Sequence, residues 1–150
     1  MSRIFCIVLL AMWWATCAFA SAGELYVVVN ADSTVKTLTP REVVSLFTGR
    51  TRAFPSGDLA QAFDHPSSSA VREAFYMTLT GMDLARVNSY WARLQYTGQV
   101  QPPTKLADDS AVVERVRKDR RGIGYLTTRP QDPALRVVLV LQDVSLTNTQ

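Results

Sequence analysis

Asp64-His65-Pro66-Ser67-Ser68-Ser69-Ala70-Val71-Arg72-Glu73-Ala74-Phe75-Tyr76 is the stretch on which the fold turns. Pro66 and the three serines interrupt whatever precedes them, and an apolar pattern of helical period follows at once. Val71, Phe75, Thr78, Leu79 and Met82 recur on one face, with Arg72, Glu73 and Tyr76 on others. Just upstream, residues 59–63 read as a short strand. A strand that gives way through a polar turn to a helix is one step of a strand and helix alternation.

The rest of the chain repeats that step. Residues 25–29 are a β-branched run ending at Asn30-Ala31-Asp32, which reads as a buried strand and a turn. Thr39 as N-cap, Pro40 in the first helical position and Glu42 closing a capping box start a helix that buries Val43, Val44, Leu46 and Phe47 and stops at Gly49. Residues 50–57, with Pro55, Ser56 and Gly57, form an exposed loop. Gly81 ends the helix that follows the serines, and Asp83 caps a neighbour striped with Leu84, Val87, Trp91 and Leu94. Beyond a loop with Thr97-Gly98 and Pro102-Pro103, the group Asp108, Asp109 and Ser110 offers N-caps for a helix carrying Val112, Val113 and Val116 and ending at Gly122. Residues 123–126 and 136–141 are strands, the latter so continuously apolar that it suits a central, doubly covered position. Alternation of this kind predicts an α/β domain.

At the N-terminus, Arg3, an apolar run over residues 4–15 and the small residues Ala18, Ala20 and Ala22 predict a secretory signal over 1–22, cut near Ala20 or Ala22. The expected domain is then 23–150 and periplasmic. A run that short falls below the roughly twenty residues a helix needs to cross a bilayer, so no membrane span is expected after cleavage. Both cysteines, Cys6 and Cys17, lie inside the signal, which takes disulfides, thiol nucleophiles and thiolate metal sites out of consideration. Losing Arg3 leaves 15 Lys and Arg against 13 Asp and Glu, too even a balance to steer nucleic acid or anionic membrane to the domain.

Ser67, Ser68 and Ser69 at a helix start have two readings. They cap the helix, or their hydroxyls join the unpaired N–H groups of Ala70 and Val71 and the positive end of the helix dipole to hold an anion, with His65 and Arg72 as added donors. His65 by itself reads as an exposed loop residue. The adjacency of Asp64, His65 and serines does not make a hydrolase, because a catalytic triad is assembled by the fold and no Gly-x-Ser-x-Gly elbow exposes a nucleophile. A single histidine rules out a histidine-rich zinc site, and no residue pattern calls for a metal or cofactor. The basic cluster Arg115, Arg117, Lys118, Arg120 and Arg121 lacks interleaved aromatics and reads as a solvated helix end, not a nucleic-acid surface. Tyr90, Trp91 and Tyr96 read as core and core-edge aromatics.

Taken in order, the chain resembles a known family. The motifs are Leu38-Thr39-Pro40-Arg41-Glu42 with Leu46-Phe47-Thr48-Gly49, then Phe54-Pro55-Ser56-Gly57, and Ser69-Ala70-Val71-Arg72-Glu73-Ala74-Phe75-Tyr76. They continue through Tyr90-Trp91-Ala92-Arg93, Tyr96-Thr97-Gly98, Pro102-Pro103 and Gly122-Ile123-Gly124-Tyr125. Over residues 25–141 the chain resembles the small, single-domain members of the periplasmic phosphate-binding-protein-like family, related to the substrate-binding component of phosphate ABC transporters.

The resemblance implies a single lobe of a type 2 periplasmic-binding-protein-like fold, a mixed or mostly parallel sheet flanked by helices. It further implies a non-enzymatic role, with phosphate or another small anion as ligand. In the full-length binders a Ser-Gly-Thr helix start, preceded by arginine, holds phosphate. Carried over, Ser69 matches the serine, Ala70 stands at the glycine, Val71 replaces the threonine and His65 stands at the arginine. With the site altered, weak anion binding is one expectation and an envelope protein partner, met through the 50–57 loop or the helix surfaces, is the other.

Overall fold

The computed structural model describes residues 23–98 and 100–142; the expected signal over 1–22 lies outside them. Five strands form one mixed sheet in the order β3-β2-β4-β1-β5. They are β1 (Glu24–Asn30), β2 (Gln61–Asp64), β3 (Thr104–Lys105), β4 (Gly122–Leu126) and β5 (Leu135–Gln142). β2 runs parallel to both β3 and β4, whereas β1 is antiparallel to β4 and β5.

Alternation along the strands divides the core in two. Leu25, Val27 and Val29 of β1 and Ile123 and Tyr125 of β4 face α1 (Pro40–Phe47), α2 (Ala70–Thr80) and α3 (Leu84–Tyr96). Val28, Phe63 and Leu126 face α4 (Asp109–Lys118) through Val112 and Val116. Gly122 and Gly124 lie beneath α4, where a Cβ on Gly124 would stand 2.5 Å from Val112 Cγ1 and one on Gly122 would stand 2.9 Å from the Asp119 carbonyl. Only a bare backbone lets this helix sit so close to the sheet.

The helix starts follow the sequence. Thr39 and Glu42 form a reciprocal capping box, and Ser69, Asp83 and Asp108 each accept a hydrogen bond from the N–H three residues on. Asn30 closes the other end of α4: its amide donates to the Val116 and Arg117 carbonyls at 3.0 and 2.9 Å.

Several expectations need correction. β5 is an edge strand, not a central one, and β4, buried along its whole length, is the centre. A continuous apolar run does not say how many strands flank it. β5 is shielded by the chain on its other side, where Leu38 N–H donates to Val138 O and the Arg136 guanidinium donates to the carbonyls of Ala31, Ser33 and Val35. A register irregularity opposite Val27 and Val28 further interrupts the ladder, as expected of a guarded edge.

On α2 the buried residues are Arg72, Phe75 and Tyr76, while Val71, Thr78 and Leu79 are only partly covered, as is Met82, which lies beyond the helix end at Thr80. Assigning faces by polarity excluded Arg72 and Tyr76, whose partners come from distant parts of the chain. Val44 is half-buried, and Gly122 opens β4 while Asp119 caps α4. β2 starts two residues later than expected, and β3 lies within the expected Pro102-Pro103 loop region, its two residues being too few to carry a periodicity. Tyr96 is 94% exposed, about 140° round α3 from Trp91 at 100° per residue, and so off the buried stripe.

Candidate functional site

The parallel strands β2, β3 and β4 deliver their carboxyl ends to one edge of the sheet, with Asp64 in register with Lys105. The α2 N-terminus follows β2 and the α4 N-terminus follows β3, so helix dipoles and loops converge at the edge where open α/β sheets bind ligands.

At the α2 side, Ser69 is the N-cap, its hydroxyl accepting from Arg72 N–H at 3.4 Å. Ser68 and Ala70 are exposed, and Ser67 and Val71 partly so. The Lys105 ammonium donates to the Ser67 hydroxyl, which brings a cation in front of the helix start. Lys105 had no sequence signal; only the register of β3 against β2 brings it there.

His65 and Arg72 turn away from the serines. His65 is buried, contrary to its reading as an exposed loop residue. Its Nε2 lies 3.1 Å from Tyr125 O and 3.4 Å from Asp109 Oδ1. Both neighbours are acceptors, so Nε2 carries a hydrogen. Asp109 also accepts from Thr127 N–H and Oγ1–H at 2.8 and 2.6 Å, which joins α4 to the end of β4.

The Arg72 side chain is 1% exposed, with Nε donating to Asp64 Oδ2 at 2.8 Å and Nη1 to Asn88 Oδ1 at 2.7 Å. Asn88 in turn donates to Ser67 O at 3.3 Å, so α3 braces the serine turn. Asp64, equally buried, accepts on Oδ1 from His65 N–H at 2.8 Å and from the Tyr125 hydroxyl at 2.5 Å. The Tyr76 hydroxyl lies 3.2 Å from Asp64 Oδ2 and 3.3 Å from Phe47 O. Burial, and then the Asp64 charge, push both phenols well above the ordinary tyrosine range. Phe75 stacks on the Tyr125 ring at 3.7 Å and fixes where its hydroxyl points.

The basic cluster is divided among local partners. Arg117 and Lys118 pair with Glu114, Arg121 with Asp119, Arg120 donates to Asp32 O, and Arg115 lies over the Phe63 ring. No helix among the described residues is long and apolar enough to cross a membrane.

A five-stranded mixed sheet covered by helices, with helix N-termini gathered at the carboxyl edge of its parallel strands, defines a single lobe of the phosphate-binding-protein-like fold. Solved structures match it. A phosphate ABC transporter substrate-binding protein of Clostridium perfringens with bound phosphate is 13% identical at a TM-score of 0.60 over 79% of this chain. An ABC-type phosphate transport receptor of Vibrio cholerae is 15% identical at 0.60 over 79%, and PstS of Borrelia burgdorferi is 12% identical at 0.52 over 83%. This chain covers 46%, 47% and 61% of those chains in turn, and at such identities the likeness is one of fold. No family model and no curated protein matches the sequence.

Proposed function

We propose that this chain is a periplasmic, non-enzymatic, solute-binding-like domain that takes phosphate or another small anion weakly, in connection with phosphate transport. The observation that carries the reading is the Lys105 ammonium on the Ser67 hydroxyl at the N-terminus of α2. A cation, exposed hydroxyls and the N–H groups of Ala70 and Val71, which have no carbonyl one turn back to bond, then meet at the positive end of a helix. His65 and Arg72 support that turn from behind, through Asp64 and Asn88, and do not touch the anion. The solvent-facing position of Ser68 and Ala70 keeps any ligand hydrated on one side, and charge-assisted hydrogen bonds gain less there than in a closed cleft. The fold neighbours, which include a phosphate-bound protein, favour the same ligand class.

A second reading, an envelope protein-interaction module, has its own support: Tyr96, 94% exposed at the end of α3, is an aromatic anchor of the kind interfaces use. Titration of the isotope-labelled domain with phosphate, sulfate and acetate separates the two. The amides of Ser68, Ala70 and Val71 are expected to shift at millimolar phosphate, and Lys105→Ala to weaken the response severalfold. If no amide of residues 67–71 moves by 20 mM, the anion reading falls and the interaction module takes its place.

A further inference from the structure

Asp64 belongs neither to the surface anion site nor to any catalytic scheme, yet its buried carboxylate is fully ringed by donors. Its two carboxylate oxygens meet four donors from three directions: the His65 N–H and Tyr125 hydroxyl on Oδ1, and the Arg72 Nε–H and Tyr76 hydroxyl on Oδ2. These are the elements of a receptor for a small carboxylate: a guanidinium, two hydroxyls and a backbone N–H, with their geometry fixed by packing. Phe75 lies against Tyr125, and Asn88 holds the far side of the guanidinium. The backbone of residue 64 is held independently, its carbonyl accepting from Leu106 N–H at 2.8 Å.

We propose that this cage is a carboxylate-binding site whose occupant is the chain's own Asp64, an internal counter-anion that keeps Arg72 from any solute. Arg72, whatever its place in the helix-start pattern, is therefore not a ligand donor in the native domain. A cage built for a carboxylate should accept a free one once the tethered one is removed. Size sets the choice: Asp64→Ala keeps Cβ and leaves room for formate, whereas Asp64→Gly opens the further volume of a methyl group and suits acetate. Burial makes the vacated cage a desolvated site, where the Arg72 Nε–H and the Tyr125 hydroxyl lose their acceptor and cost stability until an anion satisfies them, the Tyr76 hydroxyl still having Phe47 O in reach.

The test compares thermal unfolding of the wild type, Asp64→Ala, Asp64→Gly and Asp64→Asn in formate, acetate and chloride at matched ionic strength. Formate at 50 mM is expected to raise the Tm of Asp64→Ala by about 3–5 °C over chloride, and acetate to do so for Asp64→Gly. The wild type and Asp64→Asn should show no such preference. Where a truncated variant is unfolded in chloride, native circular dichroism should return in its matching anion. A second measurement uses the intact chain: the Arg72 Nε–H resonance should stay fixed up to 50 mM phosphate. The proposal is overturned if neither truncated variant distinguishes its matching anion from chloride, or if the Arg72 Nε–H of the wild type titrates with phosphate. Neither result depends on whether the amides of residues 67–71 respond, so the surface reading and the internal-anion reading stand or fall separately.

Discussion

Arg72 Nε donates to Asp64 Oδ2 at 2.8 Å, and both side chains are 1% exposed. One residue ends a sheet strand and the other lies in the first turns of α2, so the pair fixes how the helix start sits on the carboxyl edge of the sheet. Breaking it strands a charge in the interior. Arg72→Met and Asp64→Ala should each destabilise the domain by about 3–5 kcal/mol, because the remaining partner loses its compensation. The double variant should lose clearly less than the sum, with the coupling read from urea unfolding in a double-mutant cycle. Single losses below about 1 kcal/mol would mean that the pair is solvated.

Of the two phenols near Asp64, Tyr125 makes the shorter contact, 2.5 Å against 3.2 Å for Tyr76, whose hydroxyl also has Phe47 O in reach. Tyr125→Phe should therefore cost more, about 1–3 kcal/mol, and Tyr76→Phe less. Equilibrium denaturation of the two variants decides the order.

Alkaline pH acts through the same two groups. Their folded values are raised by burial and by the Asp64 charge, so the folded state holds protons that the unfolded chain releases. The stabilisation is complete below the ordinary tyrosine value near 10 and is lost as pH rises towards the folded values. With two such groups the loss approaches roughly 2.7 kcal/mol per pH unit once both unfolded phenols ionise. Absorbance at 295 nm should show two phenols titrating only together with the loss of circular dichroism.

Replacing the glycines under α4 tests the close approach of that helix. Gly124→Ala brings a methyl to 2.5 Å from Val112 Cγ1, a side-chain end, and should cost about 1–3 kcal/mol. Gly122→Ala meets the Asp119 carbonyl at 2.9 Å and the Val116 Cα at 3.1 Å, which are backbone and yield less, so it should be the more damaging of the two. Comparison of their melting temperatures is sufficient.

Thr39→Ala removes the α1 cap and should cost about 1 kcal/mol. The Thr39 N–H, and then its hydroxyl, hold the Glu42 carboxylate below its usual range, so this contribution is present above the ordinary glutamate value and disappears as pH falls through the lowered one. The residue 39 N–H survives in Thr39→Ala and the cap bond from the Glu42 N–H to the Thr39 hydroxyl does not titrate, so both proteins should lose stability together in acid, their difference narrowing only by the hydroxyl-to-carboxylate bond.

Local chemistry marked the helix starts, singly at Thr39 and Asp83 and as a choice among Ser67, Ser68 and Ser69 and among Asp108, Asp109 and Ser110 for the other two. Thr39, Ser69, Asp83 and Asp108 cap where their side chains can reach an N–H three residues on, and that depends on neighbours in sequence. The apolar runs of β1 and β5 likewise marked strands, and their alternation with helices marked an α/β domain. Strand order did not follow, because the same run of valines and leucines serves an inner strand and a guarded edge; what guards β5 is the 31–38 segment, brought from outside it and tied to the strand by the Leu38 N–H and by the strand's own Arg136 guanidinium.

The candidate site divides in the same way. Ser67, Ser68 and Ser69 were legible as a helix start with hydroxyls to spare. Lys105 was not, since its relation to Ser67 exists only through the pairing of β3 with β2. Nor could the sequence tell that Arg72 and His65 face inward. A charged side chain is placed by its counter-charge, and Asp64 becomes the counter-charge of Arg72 only when β2 and α2 are folded against each other around Tyr125.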